Sequence, residues 1–323
     1  MMKAILVGDN GKLLWQEVSR PVVGECEVLV RVAATAVNRA DLLQVKGLYP
    51  PPPGASDILG LEASGEIVEV GTGVTRHKVG DRICCLLAGG GYAEFVAVDQ
   101  DSVLPLPSGL SLVEAAALPE ALYTAYLNIF MEGALTAGES VLVHAGASGV
   151  GSAAIQIGVA LGHRVFATAS TSKLGELRKW GAIAIDREKD DFVARIKEET
   201  NGRGVDVIFD PVGASYLGGN VKSLAKKGRL VIIGMLGGVK AELFLPTLMM
   251  KRLRIIGSVL RSRSVAEKKQ ITTALEQRVW PLVESGEIRP IIHTTLSIQE
   301  ADKAHDMLRT NSTTGKVVLT IGQ

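Results

Sequence analysis

The sequence contains few of the features on which several protein classes depend. Its 323 residues include only three cysteines, Cys26, Cys84 and Cys85, which form no Cys-x-x-Cys pair, and the adjacent two would bridge only with strain. No apolar run is long enough to span a membrane, and the apolar patch within residues 1–9 is too short for a secretory signal. A net charge of +1 does not provide the basic surface that nucleic acids and anionic membranes select. We therefore expect a cytoplasmic protein without nucleic-acid or membrane partners, whose cysteines are small buried residues in a reducing compartment.

The pattern of apolar residues divides the first 261 residues into two regions with different predicted secondary structure. From residue 1 to about residue 118, short β-like runs at 27–33, 63–71 and 92–98 are separated by glycine and proline, which is typical of an antiparallel, barrel-like domain. From about residue 121 to residue 261, strands alternate with helical patterns, which predicts a doubly wound parallel sheet. The predicted strands of this part are 141–145, 164–169, 182–185, 205–210, 229–233 and 253–258.

The C-terminal part returns to a different pattern. Ser297-Ile-Gln-Glu300 is a capping box that predicts a helix through Leu308, and an apolar run at 315–321 predicts a strand. A strand at the end of a chain must pair with another strand, and we expect it to complete the first domain. The predicted domains are therefore 1–120 with 262–323, and 121–261.

A glycine-rich segment between the first strand of the second domain and an apolar helical pattern indicates a ligand. The segment reads Gly146-Ala-Ser148-Gly149-Val150-Gly151, which departs from the ideal G-x-G-x-x-G pattern at Ser148. Such a turn can be an ordinary strand-to-helix connection. The strand at 164–168 completes a βαβ unit of about thirty residues, and free N–H groups at the helix N-terminus suit a pyrophosphate. We therefore predict a dinucleotide-binding turn.

Five segments of the chain resemble a known family. They are 38–42 (Asn-Arg-Ala-Asp-Leu), 49–56 (Tyr-Pro-Pro-Pro-Pro-Gly-Ala-Ser), 59–65 (Leu-Gly-Leu-Glu-Ala-Ser-Gly), 118–125 (Leu-Pro-Glu-Ala-Leu-Tyr-Thr-Ala) and 144–151. Together they are similar to the quinone oxidoreductase branch of the medium-chain dehydrogenase/reductase superfamily, nearly from end to end. The resemblance implies an α/β fold, with a GroES-like β-rich catalytic domain and a Rossmann nucleotide-binding domain. It also implies a homodimer or homotetramer that pairs through an edge strand at 253–258.

The resemblance allows a test of whether this chain has the zinc ligands of its relatives. Zinc-dependent relatives hold a catalytic ion through a Cys, the His of a Gly-His-Glu triplet and a second Cys, and the matching residues here are Asn38, Leu61 and Glu120. Leu61 has no donor atom, and Asn38 is a poor substitute for a thiolate. Three cysteines are also too few for the four-cysteine structural lobe of those relatives. His305, flanked by two aspartates, is expected on a solvated helix face, and no metal is predicted.

The choice of cofactor can be argued from the residues that follow the second strand of the nucleotide domain. NAD-binding units usually place an Asp or Glu about twenty residues past the glycines, whereas this chain has Ser170 there, Lys173 shortly after it, and no acid before Glu176. A hydroxyl and a cation suit a 2′-phosphate. Arg187 matches a position where NADPH-using relatives often carry a Tyr. We predict NADPH, with a polar surface loop as the alternative.

The resemblance also assigns residues around the nicotinamide. Tyr49 would donate a hydrogen bond to the substrate carbonyl, Asn38 would orient substrate or ribose, and Thr124 would contact the nicotinamide. Each has a simpler alternative: Tyr49 precedes four prolines and would anchor a stiff loop, Asn38 is a turn residue, and Thr124 packs within a helix.

Further candidates lie where predicted strands end. Gly213, Gly234 and Met235 follow the fourth and fifth strands, and ligands of open α/β sheets bind outside those ends. Arg261 follows the sixth strand and would contact substrate or a phosphate, or belong to a solvated loop.

Three functions remain open at this stage. The first is a metal-independent reductase that transfers hydride from NADPH to a small-molecule quinone or a related carbonyl acceptor; a quinone demands no strong acid/base pair, and the sequence contains none that is convincing. The second is an NADPH-dependent reductase of enones, alkenals or enoyl thioesters, which needs a proton donor for the α-carbon. The third is an NADPH-binding sensor or binding module with little catalysis.

Overall fold

The computed structural model describes residues 1–322. Across these residues it contains fifteen strands, and the five at 2–7, 13–18, 82–86, 103–105 and 292–297 had no counterpart among the predicted strands. The strands are β1 (Met2–Val7), β2 (Leu13–Val18), β3 (Glu27–Ala36), β4 (Glu62–Val70), β5 (Arg82–Leu86), β6 (Phe95–Asp99), β7 (Val103–Pro105), β8 (Ser140–Val143), β9 (Arg164–Ala169), β10 (Ile183–Asp186), β11 (Val205–Asp210), β12 (Leu224–Ile232), β13 (Arg254–Gly257), β14 (Ile292–Ser297) and β15 (Lys316–Thr320).

The helices of the same residues are short, and none of them is long and apolar enough to cross a bilayer. They are α1 (Arg39–Val45), α2 (Leu112–Ala115), α3 (Pro119–Tyr126), α4 (Gly149–Ala160), α5 (Leu174–Lys179), α6 (Phe192–Glu199), α7 (Leu217–Ser223), α8 (Leu245–Lys251), α9 (Val265–Arg278), α10 (Trp280–Glu284) and α11 (Ala301–Arg309). A π-helical segment, Leu127–Glu132, continues α3.

The chain divides into two compact units, the first of which comprises residues 1–123 and 261–323. Its main sheet has the strand order β14-β15-β3-β4-β5-β7, with β6 paired to β3, and β1 pairs with β2 in a separate ribbon. The C-terminal strand β15 pairs antiparallel with β3, with Val318 opposite Ala36. Apolar side chains from both segments of this unit share one core, because the strands alternate buried and exposed positions.

The second unit, residues 124–260, contains six parallel strands in the order β10-β9-β8-β11-β12-β13. All residues of β8 and β11 are buried, as expected for parallel strands covered by helices on both faces. The strand order reverses between β8 and β11, and ligands of such sheets bind at the carboxyl ends near this point. The predicted α/β class and the parallel sheet are thus confirmed.

Several predicted bounds were inaccurate. The strand predicted at 141–145 ends at Val143, because Ala145 adopts a left-handed backbone with φ of 52° and begins the glycine turn. The strand predicted at 229–233 begins earlier, at Leu224. Cys84 and Cys85 are buried as predicted, whereas Cys26 is exposed, so the prediction of burial was wrong for that residue.

Candidate active site

The glycine turn lies where β8 leads into α4. Ser148 is the N-cap of this helix, and its Oγ accepts a hydrogen bond from the Gly151 N–H at 3.0 Å. A Cβ on Gly151 would lie 2.4 Å from the Ala145 carbonyl oxygen, so the close approach requires glycine there. Ser148 therefore departs from the motif because the position serves as a cap, for which serine is among the preferred residues.

The first turn of α4 fits the pyrophosphate of a dinucleotide. Within residues 1–322, the backbone N–H groups of Gly149 and Val150 donate to no protein atom. Free donors at the N-terminus of a twelve-residue helix, together with the positive end of its dipole, form an anion site. The turn can therefore hold an anionic group, and its role as the pyrophosphate site of a cofactor stays a prediction.

The residues predicted for the 2′-phosphate lie at two neighbouring strand ends. Ser170 directly follows β9, and its carbonyl oxygen accepts from the N–H of Lys173 at 2.9 Å. Arg187 directly follows β10, and its N–H donates to the Ala169 carbonyl oxygen at 2.9 Å. A hydroxyl and two cationic residues therefore follow adjacent strands, and their contact with a 2′-phosphate stays a prediction.

Two acidic residues near them, Asp186 and Glu188, were not predicted from the sequence. The Thr171 hydroxyl donates to Asp186 at 2.6 Å and contacts Glu188 at 3.1 Å, and Glu188 lies 3.9 Å from the Arg187 guanidinium. The hydrogen bond from Thr171 lowers the pKa of the Asp186 carboxyl. These acids lie beyond β10, outside the stretch after β9 in which an NAD-type acid is sought, so motif spacing does not reveal them.

Three further predicted residues come together at the ends of β11 and β12. Asp210 accepts the N–H groups of Val212 at 2.7 Å and of Gly213 at 3.1 Å. Gly213 has a φ of 79°, and a Cβ there would lie 3.0 Å from the Gly234 carbonyl oxygen and 3.3 Å from the Met235 Cα. Close packing of the two turns thus requires a small residue at position 213.

Thr124 is the first residue of the second unit and is buried. Its carbonyl oxygen accepts from the Asn128 side chain at 2.7 Å. Its predicted contact with the nicotinamide stays a prediction.

A buried chain of hydrogen bonds, which the sequence did not indicate, connects the ends of three central strands. His144 Nδ1 lies 3.0 Å from the Thr168 hydroxyl and Nε2 lies 2.7 Å from Asn220 Oδ1, while Asn220 donates to Asp210 at 3.0 Å. Since Asn220 Oδ1 can only accept, His144 Nε2 carries the proton and Nδ1 accepts from Thr168. Burial lowers the pKa of His144 to about 4, so the imidazole is neutral.

Asn38 belongs to a buried polar cluster of the first unit. Its amide nitrogen donates to Glu62 at 2.9 Å and to the Ala36 carbonyl oxygen at 3.2 Å, and its Oδ1 accepts from the Lys316 ammonium at 2.6 Å. Lys316 also forms an ion pair with Glu62, whose side chain is fully buried, and the other Glu62 oxygen accepts from the Glu120 N–H at 2.9 Å. These contacts use both amide hydrogens of Asn38, so its side chain has no hydrogen left to donate to a ligand.

Two of the three positions that match zinc ligands do not fit zinc. Leu61 is an apolar residue with 2% exposure, and the Asn38 amide is occupied by Glu62 and Lys316. No group of three or more His, Cys, Asp or Glu side chains anywhere in residues 1–322 is arranged to hold a metal ion. The cation beside the buried Glu62 is the Lys316 ammonium; the absence of a resident metal stays a prediction.

Tyr49 and Arg261 lie side by side in the first unit. The Arg261 guanidinium is centred 5.2 Å from the Tyr49 ring centroid and donates to the Tyr49 carbonyl oxygen at 3.0 Å. Tyr49 is half-buried, and its hydroxyl makes no hydrogen bond within residues 1–322. Burial and the negative charge of Glu120 raise the pKa of this phenol, while Arg261 opposes them. The hydroxyl is therefore a neutral donor that is available to a ligand.

The expectation for His305 was wrong. His305 is 3% exposed, and its Nε2 lies 3.2 Å from the Tyr92 hydroxyl, which also contacts Asp41 at 3.3 Å. Burial lowers the pKa of His305 to about 4 and raises that of Asp41 to about 6. Residues 301, 304, 305 and 308 form one buried helix face, so the helical spacing of Ala301, Ala304 and Leu308 was a signal for burial of His305.

Comparisons with known proteins agree with these observations. Residues 24–108 match the family described as alcohol dehydrogenase GroES-like domain, and residues 149–277 match zinc-binding dehydrogenase. A quinone oxidoreductase of Rattus norvegicus is 32% identical over 99% of this chain and 98% of its own length. A phthioceranic/hydroxyphthioceranic acid synthase of Mycobacterium tuberculosis is 37% identical over 94% of this chain, which spans only 14% of that protein.

Solved structures extend the likeness to the whole chain. A quinone oxidoreductase of Pseudomonas syringae pv. Tomato is 30% identical with a TM-score of 0.86, over 99% of this chain and 100% of that one. The JamJ enoyl reductase is 27% identical with a TM-score of 0.87, over 99% of each chain. With a GroES-like domain and a Rossmann-like six-stranded sheet, the chain belongs to the medium-chain dehydrogenase/reductase superfamily, in its quinone oxidoreductase-like branch, an oxidoreductase family that uses a nicotinamide cofactor.

Proposed function

We propose that this protein is a metal-independent oxidoreductase that transfers hydride from NADPH to a small-molecule quinone. The observation that carries the proposal is the Tyr49 hydroxyl, a half-buried donor without a protein partner in residues 1–322, beside the Arg261 guanidinium. A donor of this kind suits a carbonyl oxygen that gains negative charge. Two of the residues that match zinc ligands offer no alternative polarising group, because Leu61 has no donor atom and Asn38 is occupied.

The cofactor in this proposal is NADPH. The Gly149 and Val150 N–H groups would hold the pyrophosphate, and Ser170, Lys173 and Arg187 would hold the 2′-phosphate. The nicotinamide supplies the hydride. Gly213, Gly234, Met235 and Thr124 are the proposed neighbours of the cofactor within the second unit. For the 2′-phosphate to engage Arg187, it must compete with Glu188, which faces that guanidinium.

The chain's own residues have modest tasks in this reaction. Tyr49 would donate a hydrogen bond to one quinone oxygen and hold the ring for attack at the other end of the conjugated system. The reduced quinone takes its proton from water, so no protein acid is required. Asn38, proposed as a substrate or ribose contact, is fixed by Glu62 and Lys316, and because both of its amide hydrogens are used it would not donate to a quinone oxygen.

A second candidate function is reduction of an enone, alkenal or enoyl thioester. It is favoured by the likeness to the JamJ enoyl reductase and to the phthioceranic acid synthase of M. tuberculosis. This chemistry adds a proton to the α-carbon and therefore needs a positioned donor. Tyr49 is the residue in the first unit that could supply it, since its hydroxyl is uncommitted.

The experiment that separates these functions is a steady-state assay of NADPH oxidation. The panel contains ortho-quinones, para-quinones, alkenals and enoyl thioesters, with wild type and Tyr49→Phe compared on each. We expect quinones to be the best acceptors, and faster turnover of alkenals or thioesters would contradict the proposal. Tight NADPH binding with no turnover of any acceptor would favour a sensor. Stoichiometric zinc in elemental analysis of active protein would refute the metal-independent reaction.

Assembly and cellular setting are proposals of the same kind. Strand β13 lies at an edge of its sheet, and Ile255 on it is exposed, as are Met249 and Met250 of α8. Unpaired strand edges with apolar neighbours favour pairing with a second chain, and we propose a homodimer or homotetramer. The free thiols suit the reducing cytoplasm. The segment Leu260–Arg263, Leu-Arg-Ser-Arg, is similar to one in p53-inducible quinone oxidoreductase, which we propose as the functional counterpart.

A further inference from the structure

Arg261 is the most thoroughly engaged arginine near the proposed substrate contact. Its exposure is 5%, and each of its three guanidinium nitrogens donates to a different segment of the first unit. Nε donates to the Ala88 carbonyl oxygen at 2.7 Å, Nη1 to the Tyr49 carbonyl oxygen at 3.0 Å, and Nη2 to Gln44 Oε1 at 2.7 Å. From its sequence position, Arg261 was expected to contact substrate or a phosphate or to belong to a solvated loop, whereas it is buried and its acceptors are neutral groups of the protein.

The three acceptors surround the loop that carries Tyr49. Gln44 lies in the helix that precedes the loop, and prolines at 50–53 stiffen the residues that follow it. Ala88 precedes three glycines, and a Cβ on Gly89 would lie 2.3 Å from the carbonyl oxygen of Ser56, so this turn packs against the far end of the loop. The planar Arg261 guanidinium therefore connects Gln44 before the loop, Tyr49 within the loop and the turn at Ala88 that packs against the far end of the loop.

The same guanidinium fixes the side chain of Tyr49 without bonding to its hydroxyl. The cation is centred 5.2 Å from the ring centroid, within the range of a cation–π contact, which is stronger when both partners are shielded from water. A lysine in this place would supply one point charge and would not span three acceptors. The hydroxyl is left free to meet a ligand while the backbone and the ring are held.

We propose that Arg261 is a positioning residue for Tyr49: its guanidinium clamps Gln44, Tyr49 and Ala88, and it binds no cofactor phosphate. This inference rests on the proposed function, in which the Tyr49 hydroxyl contacts the quinone. Arg261 acts on the substrate only through Tyr49.

Kinetics of five variants test the proposal. They are Arg261→Ala, Arg261→Lys, Tyr49→Phe, the double variant Arg261→Ala/Tyr49→Phe, and Arg31→Ala as a matched control on an exposed strand position of the same unit. Arg261→Ala should lower kcat/KM for the quinone by roughly tenfold, the order of one lost hydrogen bond, with partial recovery in Arg261→Lys. The dissociation constant of NADPH should change by less than about twofold. The kcat/KM of the double variant should be no lower than that of Tyr49→Phe, because both substitutions remove the same contact of the Tyr49 hydroxyl with the quinone.

Hydrogen exchange provides a readout that does not depend on turnover. The N–H groups of Gly47 and Leu48 donate to carbonyl oxygens at the end of α1, and that of Ala55 donates to Pro52 within the loop. Arg261→Ala should accelerate the exchange of these three amides, while Arg31→Ala should not. Unchanged exchange at these amides overturns the clamp. A weakening of NADPH by more than about tenfold, with exchange unchanged, identifies Arg261 as a phosphate ligand instead. If wild type reduces no quinone, the proposed function fails, and hydrogen exchange alone then decides whether the clamp exists.

Discussion

Replacing Lys316 by Met removes the cation that balances a buried carboxylate. The side chains of Lys316 and Glu62 are 5% and 0% exposed, and after the change Glu62 would keep only hydrogen bonds from Asn38 and from the Glu120 N–H. Removing one partner of a buried ion pair costs about 3–5 kcal/mol, because an uncompensated charge stays in a poorly solvated site. Methionine has a similar volume, so a cavity contributes little. We expect the free energy of unfolding of the first unit to fall by about 3–5 kcal/mol.

Denaturant unfolding followed by tryptophan fluorescence measures this change. The first unit contains Trp15 and Trp280, so a Trp180→Phe background makes the signal report on that unit alone. Adding Glu62→Gln to Lys316→Met should recover part of the loss, because the unbalanced charge disappears.

An exposed ion pair in the same sheet supplies the matched control. Arg31 and Glu66 lie opposite each other on β3 and β4, with side chains 56% and 42% exposed. Arg31→Met should cost only about 0–1 kcal/mol. The reasoning is refuted if Lys316→Met costs no more than this control, or if Glu62→Gln adds its full separate cost to that of Lys316→Met.

Three further outcomes are expected. Ser170→Asp combined with Lys173→Ala should weaken NADPH by at least about tenfold relative to NADH in a binding titration, since an acid there repels the 2′-phosphate; an unchanged ratio contradicts the assignment. His144 has a pKa of about 4 when folded and 6.5 as its ordinary value. Unfolding therefore takes up a proton between these pH values. The free energy of unfolding keeps the full contribution of the neutral imidazole above pH 6.5 and falls as the pH is lowered towards 4. The melting temperature of His144→Gln should depend less on pH in this window than that of wild type. The same pH dependence in both proteins would contradict the lowered pKa of His144. Ile255→Glu should convert the proposed dimer into a monomer in sedimentation, whereas a monomeric wild type would refute the proposed edge.

Local features were predictable because neighbouring residues determine them. The alternation of apolar strands and helices indicated the parallel sheet, since strands covered on both faces must be apolar throughout. The turn at residues 146–151 was recognisable because a tight turn, a cap and a helix start are encoded within six residues. The capping box at Ser297 likewise marked the start of the last helical segment. His305 was misjudged because its charged neighbours were weighed above the helical spacing of the apolar ones.

Contacts between distant segments required the tertiary structure. Arg261 meets the carbonyl oxygen of a residue 212 positions away, and Lys316 meets a carboxylate 254 positions away. A lysine within an apolar strand signals a buried partner, but nothing near it in the chain identifies Glu62. The sequence by itself determined the kinds of element and the glycine turn, because hydrogen bonding and periodicity act over a few residues. Only the tertiary structure decided which charge balances which and what holds Tyr49, because strand pairing and loop packing bring those groups together.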